Sequence, residues 1–317
     1  MHWRMNSYPE EMSVAEWKKA IQSLRDYITP LLIDFSGGEP TIYPHFLELI
    51  EFCRSSHVDW IMTTNGSSLA NEKFVKGLVA APPLKIDISI DGANDDIHDL
   101  ARGVPGSLAR IERGLRTLVI ERNRSGNHFP IRIKVTVHRL NATRLTPIVH
   151  WAERLGATAV DFNAVRLWRE EEIAKLSIQD NKLEALKAEV NKLVKLKAQG
   201  AKIETSVDAL EGMVSHFSGE LEFGRAKCRD PLRNFLVGPS GDVKVCGCAK
   251  AIGNVRDQGA KSIWESTIAR ETRLASRECS LKIAVAKGAT SCTAHRSILD
   301  DIRRAIVLLS PKSQRPE

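Results

Sequence analysis

The chain has 317 residues, of which 43% are hydrophobic and 27% are charged. This composition is ordinary for a soluble globular protein, and the length accommodates one large domain with or without a small one. The formal net charge is +7, but basic and acidic residues are interleaved without a dense basic stripe, so we expect no nucleic-acid partner. No apolar run approaches the roughly 18 residues of a membrane span, and the first residues lack the apolar core of a signal peptide. We therefore expect a cytoplasmic protein with no membrane partner.

Helix and strand patterns alternate over the first half of the chain. The first helix is predicted over residues 16–24, where Ser13 and Glu16 form a candidate capping box. Five short strands rich in isoleucine and valine follow, at residues 31–35, 60–63, 85–90, 131–138 and 159–162. Helical patterns separate them, at residues 46–53, 74–79, 108–119 and 145–155. This order predicts a parallel sheet with crossover helices.

The second half of the chain has fewer strands and most of the cysteines. Residues 170–200 form one long helical pattern, which predicts a helix packed on the sheet or joining it to the next module; a coiled-coil seam is the alternative. Residues 235–246 predict a β-hairpin with the turn sequence PSGD. In a reducing compartment, the late cysteines indicate a metal or catalytic site rather than disulfides. Cys53 lies alone on an apolar helix face and is predicted to be a core residue.

The most informative motif is FSGGEP at residues 35–40, directly after the first predicted strand. Gly37 and Gly38 let the backbone approach a ligand and offer N–H donors, and Glu39 can accept a hydrogen bond from an ammonium group. Together with Pro40, this string resembles the methionine-binding loop of radical S-adenosylmethionine (SAM) enzymes. The resemblance implies that the loop binds the amino group of SAM; a plain turn between a strand and a helix is the alternative.

Two further strings resemble the same family. Thr64 and Asn65 end the next strand in the sequence TTNG, and the resemblance places them in the cofactor site. The segment IDISIDG that follows alternates apolar with polar residues, and a polar row in a parallel barrel strand is unfavourable unless it serves a ligand. The resemblance implies that Ser89 and Asp91 contact the ribose or the carboxylate of SAM. The alternative is that Asp91 only starts a turn and that Asp87 lies near the rim.

Weaker candidates lie on or beside the same strands. The sequence HDLARG, with His98 and Arg102, resembles the family pattern after the third strand, with a purely structural role as the alternative. The polar faces of the last two strands carry four more candidates for contacts with SAM or substrate. These are Lys134, Thr136, His138 and Asn163. A lone histidine at such a position is more often structural.

The cysteine-rich end of the chain resembles the SPASM or twitch module of radical SAM enzymes. The resemblance rests on a cysteine before the hairpin, a cysteine at its end, the strings IGNV and IW, and two late cysteines. Such modules bind auxiliary 4Fe-4S clusters, and four thiolates hold one cluster. The implied ligands of one such cluster are Cys228, Cys246, Cys279 and Cys292. Cys248 or His295 could substitute for one of them, and buried free thiols are the alternative.

Radical SAM enzymes carry a CxxxCxxC triplet before the glycine loop, and this triplet holds the 4Fe-4S cluster that cleaves SAM. The present sequence contains no such triplet, and its first cysteine is Cys53. The resemblance therefore implies an α/β fold: a partial (β/α)6 TIM-type barrel missing its first β/α unit, plus a small cysteine-rich α+β module of the SPASM/twitch type. We expect the truncated core at residues 1–168, a helical bridge at 169–222, the auxiliary-cluster domain at 223–300 and a tail at 301–317.

The resemblance implies an oxidoreductase that uses SAM and iron-sulfur clusters to abstract a hydrogen atom from a peptide, a sugar or another small substrate. It also implies a flavodoxin- or ferredoxin-like electron donor. Because the triplet is absent, we expect the 317-residue chain not to cleave SAM reductively; a start codon assigned too late would explain the absence. The alternative is a cluster-less relative that acts as a binding or partner protein. The sequence singles out no catalytic residue and no substrate.

Overall fold

The first helix of the chain begins as its sequence predicts. The computed structural model describes residues 11–165, 173, 175–178, 180–218, 230–247 and 249–277. Helix α1 spans Val14–Tyr27, with Ser13 as its N-cap. The Glu16 N–H donates to Ser13 Oγ at 3.3 Å, and the Ser13 N–H donates to Glu16 Oε2 at 2.8 Å. The capping box is therefore confirmed, and it fixes the point at which the helix starts.

The five predicted strands are confirmed and form one parallel sheet. They are β1 (Leu32–Phe35), β2 (Asp59–Thr64), β3 (Lys85–Ser89), β4 (Ile131–Val137) and β5 (Ala159–Ala164), and they pair in the order β1-β2-β3-β4-β5. Five helices lie between the strands in sequence: α2 (Phe46–Ser55), α3 (Glu72–Ala80), α4 (Asp95–Arg102), α5 (Ser107–Arg124) and α6 (Thr146–Arg154). A parallel sheet with crossover helices places all strand ends of one kind on one edge.

The strands have one apolar face and one polar face. On β3 and the residue after it, Ile86, Ile88 and Ile90 are fully buried in the core that the strands share with the helices. Asp87 and Ser89 alternate with them and lie on the opposite face. The same alternation recurs on β4 and β5. One face thus supplies the hydrophobic core, and the other lines a polar interior.

Two further helices complete the main core. Helix α7 spans Asp180–Ala198 and helix α8 spans Val207–Ser218. Their buried leucines and Met213 belong to the same hydrophobic core as the sheet. The prediction of one uninterrupted helix over residues 170–200 is wrong, because Ser177 and Ile178 are not helical. Ile178 is buried in the main core, and α7 begins at Asp180.

A small antiparallel sheet forms the C-terminal module. Strands β6 (Leu236–Val237), β7 (Asp242–Lys244) and β8 (Gly253–Asn254) pair in the order β6-β7-β8. The predicted hairpin is confirmed: Gly238 and Gly241 close its turn, and Gly241 has a φ of +87° that favours glycine. Helices α9 (Ala260–Glu265) and α10 (Thr267–Arg277) follow.

Helix α1 belongs to both hydrophobic cores. Ile21 is buried in the main core, whereas Met12 and Ala20 are buried in the core of the C-terminal module with Val243 and Ile263. The N-terminal helix therefore joins the barrel-like sheet to the small module. Among the described helices, none is both long and apolar enough to cross a membrane.

Candidate functional site

The glycine loop leaves β1 at the carboxyl edge of the sheet with its backbone open to solvent. Ser36, Gly37 and Gly38 are exposed. Gly37 has a φ of +114°, and a Cβ built there meets nothing within 4 Å, so conformation rather than space requires glycine. Within the described part of the chain, the N–H groups of Gly37 and Gly38 have no hydrogen-bond partner. Two adjacent free donors of this kind form a concavity suited to an anion or a carboxylate.

Glu39 ties the glycine loop to the end of β2. Its Oε1 atom accepts hydrogen bonds from Thr41 Oγ1 at 2.6 Å and from Thr64 Oγ1 at 2.7 Å. Its Oε2 atom accepts one from the Asn65 N–H at 2.6 Å. The two motifs FSGGEP and TTNG, which sequence analysis identified separately, therefore meet through one carboxylate. Pro40 follows directly and begins a single 3₁₀ turn, Pro40–Ile42.

Thr64 and Asn65 take different positions at this junction. Thr64 is 2% exposed, and its hydroxyl also accepts the Gly66 N–H at 3.0 Å. Asn65 is exposed, and its Oδ1 atom accepts the Ser67 N–H at 2.8 Å. The Thr64 hydroxyl thus serves only hydrogen bonds inside the protein. The Asn65 side chain lies at the surface of the site, where a ligand can reach its amide nitrogen.

The third and fourth strands bring more polar side chains to the interior of the site. Ser89 lies beside Lys134 in the β3–β4 register, and Thr136 lies beside Asn163 in the β4–β5 register. All four are partly buried. Within the described residues, the side chains of Ser89, Lys134 and Thr136 have no hydrogen bond or ion pair closer than 4 Å. These groups remain available to a ligand, as the polar row on β3 predicted for Ser89.

Asp91 is engaged inside the protein. It is 5% exposed; its Oδ2 atom pairs with Arg102 Nε at 2.8 Å, and its Oδ1 atom accepts the Thr136 N–H at 3.3 Å. Burial alone would raise the pKa of Asp91, but Arg102, His138 and His98 together outweigh it and hold the pKa below its ordinary value. The predicted candidates Asp91 and Arg102 therefore form one buried-to-surface ion pair, and Arg102 is the member nearer to solvent.

Two histidines and one asparagine contact Asp91, the buried member of this ion pair. His98 Nδ1 accepts the Asp91 N–H at 3.2 Å, and burial lowers the pKa of His98 to about 4, so this ring is neutral at pH 7. His138 Nε2 lies 3.9 Å from Asp91 Oδ2. Asn141, which is 0% exposed, donates to the carbonyls of Asp91 at 3.0 Å and Thr136 at 2.8 Å. Sequence analysis missed Asn141; its only local signal was an asparagine in the turn after β4.

Deeper in the polar interior, a bidentate ion pair joins β3 to β4. Arg132 Nε and Nη2 donate to the two carboxylate oxygens of Asp87 at 2.8 and 2.6 Å. Arg132 Nη1 also lies 2.7 Å from Glu204 Oε1. Asp87 is 3% exposed, so the alternative that placed it near the rim is wrong: a partner in register on β4 allows the carboxylate to be buried.

The cysteines divide between the described and the undescribed parts of the chain. Cys246 is the second residue after the hairpin strand β7 and is partly buried. Cys53 is 0% exposed on α2, and burial raises the pKa of its thiol to about 12, which confirms it as a core residue. The other candidate ligands lie outside the described residues: Cys228, Cys248, Cys279, Cys292 and His295. The described residues contain no cluster of three metal-binding side chains.

Sequence profiles of two protein families match the chain. The profile of the radical SAM superfamily matches residues 1–127, and that of SPASM, an iron-sulfur cluster-binding domain, matches residues 228–292. The first match contains the glycine loop, the TTNG string and the Asp91–Arg102 pair, and the second contains the hairpin and all five late cysteines. Both resemblances noted from the motifs therefore extend over segments much longer than the motifs themselves.

Several curated proteins are similar in sequence. AdoMet-dependent heme synthase of Methanosarcina barkeri is 29% identical over 277 residues, which are 81% of this chain and 74% of the synthase. Mycofactocin maturase MftC of Mycobacterium ulcerans is 31% identical over 150 residues, which are 47% of this chain and 38% of the maturase. PqqA peptide cyclase of Methylocella silvestris is 24% identical and covers 82% of this chain and 67% of the cyclase.

Solved structures show the same fold. The chain of anSMEcpe with bound AdoMet has a TM-score of 0.64 at 18% identity and covers 89% of this chain and 81% of its own. Streptococcus suis SuiB bound to S-adenosylmethionine has a TM-score of 0.63 at 16% identity and covers 84% and 62%. The five-stranded parallel sheet thus resembles the partial barrel of radical SAM proteins. Residues 1–127 thus resemble the radical SAM superfamily, and residues 228–292 resemble its SPASM domain.

Proposed function

We propose that this protein binds SAM at the carboxyl edge of β1–β4 and carries one auxiliary 4Fe-4S cluster in its SPASM domain. The supporting observation is the set of hydrogen bonds that the Glu39 carboxylate accepts from Thr41, Thr64 and Asn65. These bonds bring the glycine loop and the end of β2 into one site. The SAM-binding core lies in residues 1–168 and the auxiliary domain in residues 223–300, with residues 169–222 connecting them.

The residues at this edge suit the polar parts of SAM. The free N–H groups of Gly37 and Gly38 suit a carboxylate, and so does the guanidinium of Arg102 at the solvent-facing end of its ion pair with Asp91. Ser89 and the amide of Asn65 offer further hydrogen bonds to the ribose. Glu39 has both oxygens engaged by the protein, so its role is to hold the loop in place while the backbone binds the methionine moiety.

Together with a SAM-cleaving cluster, such a site would support radical abstraction of a hydrogen atom from a peptide or another small substrate, with SAM as the radical source and a flavodoxin- or ferredoxin-like protein as electron donor. Two peptide-bound structures share this fold: anSMEcpe with the Cp18Cys peptide and SuiB with its precursor peptide SuiA. The 317 residues contain no CxxxCxxC triplet, and Cys53 is a buried core thiol. These residues therefore do not fit the SAM-cleaving cluster, and we assign this chain SAM binding without reductive cleavage.

The same observation favours a second candidate function. A protein that keeps the SAM pocket and the SPASM cluster without a cleaving cluster would act as a binding or partner protein. It would sequester SAM or present a substrate to another enzyme, and it would catalyse no reaction of its own.

One experiment tests both parts of this assignment, SAM binding and the absence of reductive cleavage. The purified chain is titrated with SAM by calorimetry, and parallel samples with dithionite are assayed for 5′-deoxyadenosine. We expect SAM to bind and no 5′-deoxyadenosine to accumulate above the level without protein. Robust production of 5′-deoxyadenosine would overturn the assignment of binding without cleavage, and absence of SAM binding would overturn the site itself.

Iron content tests the auxiliary cluster. After anaerobic reconstitution with iron and sulfide, we expect about four irons per chain and a Cys246→Ala variant that has lost most of them. Cys53→Ala is the matched control: it also removes one thiol, but a core thiol, so its iron content should equal that of the unmodified chain. Equal iron in both variants would mean that Cys246 is not a ligand.

A further inference from the structure

We propose that Met12 and Tyr43 are positioning residues that couple the SAM-binding loop to the hairpin carrying Cys246. Two hydrogen bonds meet on the backbone of Met12: its carbonyl accepts from Tyr43 Oη at 3.1 Å, and its N–H donates to the Pro239 carbonyl at 2.8 Å. We call this pair of contacts the Met12 link. Its consequence for SAM rests on the function proposed above.

At one end, the link is part of the glycine-loop structure. Tyr43 ends the 3₁₀ turn that begins at Glu39 and Pro40: its N–H donates to the Pro40 carbonyl at 3.2 Å. Its own carbonyl accepts the Phe46 N–H at 3.0 Å, at the start of α2. The backbone of Tyr43 is therefore part of the turn that follows Glu39. A ligand that orders the glycine loop also orders the hydroxyl that Tyr43 presents to Met12.

At the other end, the link reaches the hairpin turn. Pro239 lies between β6 and β7, and Met12 is 1% exposed in the core of the small module. A Cβ on Gly241 would lie 3.2 Å from the sulfur of Met12, so the side chain packs directly on the turn. From Gly241 the chain runs through β7 to Cys246 without a break. Close packing of this kind transmits displacement.

Helix α1 holds Met12 between the two sites. On the side of the small module, Glu16 pairs with Arg256 at 2.8 Å and Ser23 Oγ accepts the Ala260 N–H at 2.8 Å. On the other side, Lys18 pairs with Glu48 of α2 at 2.6 Å. Helix α1 therefore contacts both sides, and Met12 lies directly before its N-cap, Ser13. A contiguous set of contacts therefore connects the loop to the hairpin, which is the physical requirement for coupling two sites.

Amide hydrogen exchange tests the link in the full chain. The variant Tyr43→Phe removes the hydroxyl that donates to Met12. Without ligand, we expect the Met12 amide and the amides of residues 236–246 to exchange about fivefold faster in this variant, the effect of one lost hydrogen bond. With SAM, the unmodified chain should show about fivefold slower exchange in the same segment. At a SAM concentration that saturates it, Tyr43→Phe should show no slower exchange of the hairpin amides than without SAM.

Tyr27→Phe is the matched control. It also removes one tyrosine hydroxyl bond between α1 and the small module, to Glu265 at 3.2 Å, but away from the glycine loop. It should keep the protection that SAM confers. Equal exchange in Tyr43→Phe and the unmodified chain without ligand would overturn the link. If that difference is present but SAM does not bind, the link stands and the proposed function fails. If SAM binds the unmodified chain without protecting the hairpin, the coupling fails and the proposed function stands.

Discussion

Replacing Arg132 by methionine is expected to lower the free energy of unfolding by about 3–5 kcal/mol, since removal of one member of a buried ion pair leaves the other charge uncompensated. Arg132 donates two hydrogen bonds to Asp87, and both side chains are less than 10% exposed. Chemical denaturation monitored by circular dichroism measures the change. The matched control is Arg54→Met, which breaks an exposed pair with Glu51 and should change stability by less than about 0.5 kcal/mol.

The pH dependence of this difference identifies its origin. Burial opposes the ionisation of Asp87, but the hydrogen bonds and charge of Arg132 outweigh it and lower the pKa of Asp87 below its ordinary value. The pair therefore stabilises the fold above the unfolded pKa of about 3.9, and this contribution is lost as the pH falls through the folded pKa. The difference in the free energy of unfolding between the unmodified chain and Arg132→Met should have its full value near pH 7 and should become smaller below about pH 4. If this difference in the free energy of unfolding is unchanged at pH 3, the ion pair between Arg132 and Asp87 is not its cause.

Replacing Glu39 by alanine is expected to weaken SAM binding by at least about tenfold, the equivalent of 1.4 kcal/mol. The change leaves the buried hydroxyl of Thr64 and the N–H of Asn65 without their acceptor, and it frees the glycine loop from β2. Glu39→Gln retains one oxygen but turns an NH₂ group toward a donor, so we expect an intermediate loss. Calorimetric titration with SAM measures both affinities.

The control for Glu39 is Glu51→Ala, which removes an exposed carboxylate from α2 that pairs with Arg54. Its affinity for SAM should equal that of the unmodified chain. If Glu39→Ala binds SAM as tightly as this control, the hydrogen bonds from Thr64 and Asn65 to Glu39 have no role in SAM binding. A loss of binding with an unchanged thermal midpoint would place the effect in the loop and not in the fold as a whole.

The sheet could be predicted from the sequence because its strands have local signatures. Alternating isoleucines on β3 and short runs of valine and isoleucine elsewhere have the period of a strand, and all five strands are confirmed. Helix α4 was not predicted because only Ile97 and His98 of its eight residues are buried, which is too few for a helical period. The helical pattern over residues 170–200 is continuous in the sequence, but in the structure Ser177 and Ile178 are not helical, and Ile178 is buried.

The site was predicted in its motifs but not in its pairings. The glycine loop and the TTNG string are local sequences, and each could be recognised by itself. The carboxylate of Glu39 was assigned to a ligand ammonium, whereas it binds Thr64 and Asn65 across 25 and 26 residues. The Asp87–Arg132 pair spans 45 residues. Such pairings depend on strand register, which follows from the folded sheet and leaves no local period in the sequence.

The position of α1 in the small hydrophobic core has a consequence for synthesis. Ser23 on α1 bonds to Ala260, 237 residues later, so the core that contains Met12 and Ala20 closes only when the last third of the chain has left the ribosome. At 5–20 residues per second this takes on the order of 10–50 s. During that time the apolar face of α1 has no partner from the small module. A chaperone that shields a short amphipathic helix would thus have this interval in which to bind α1.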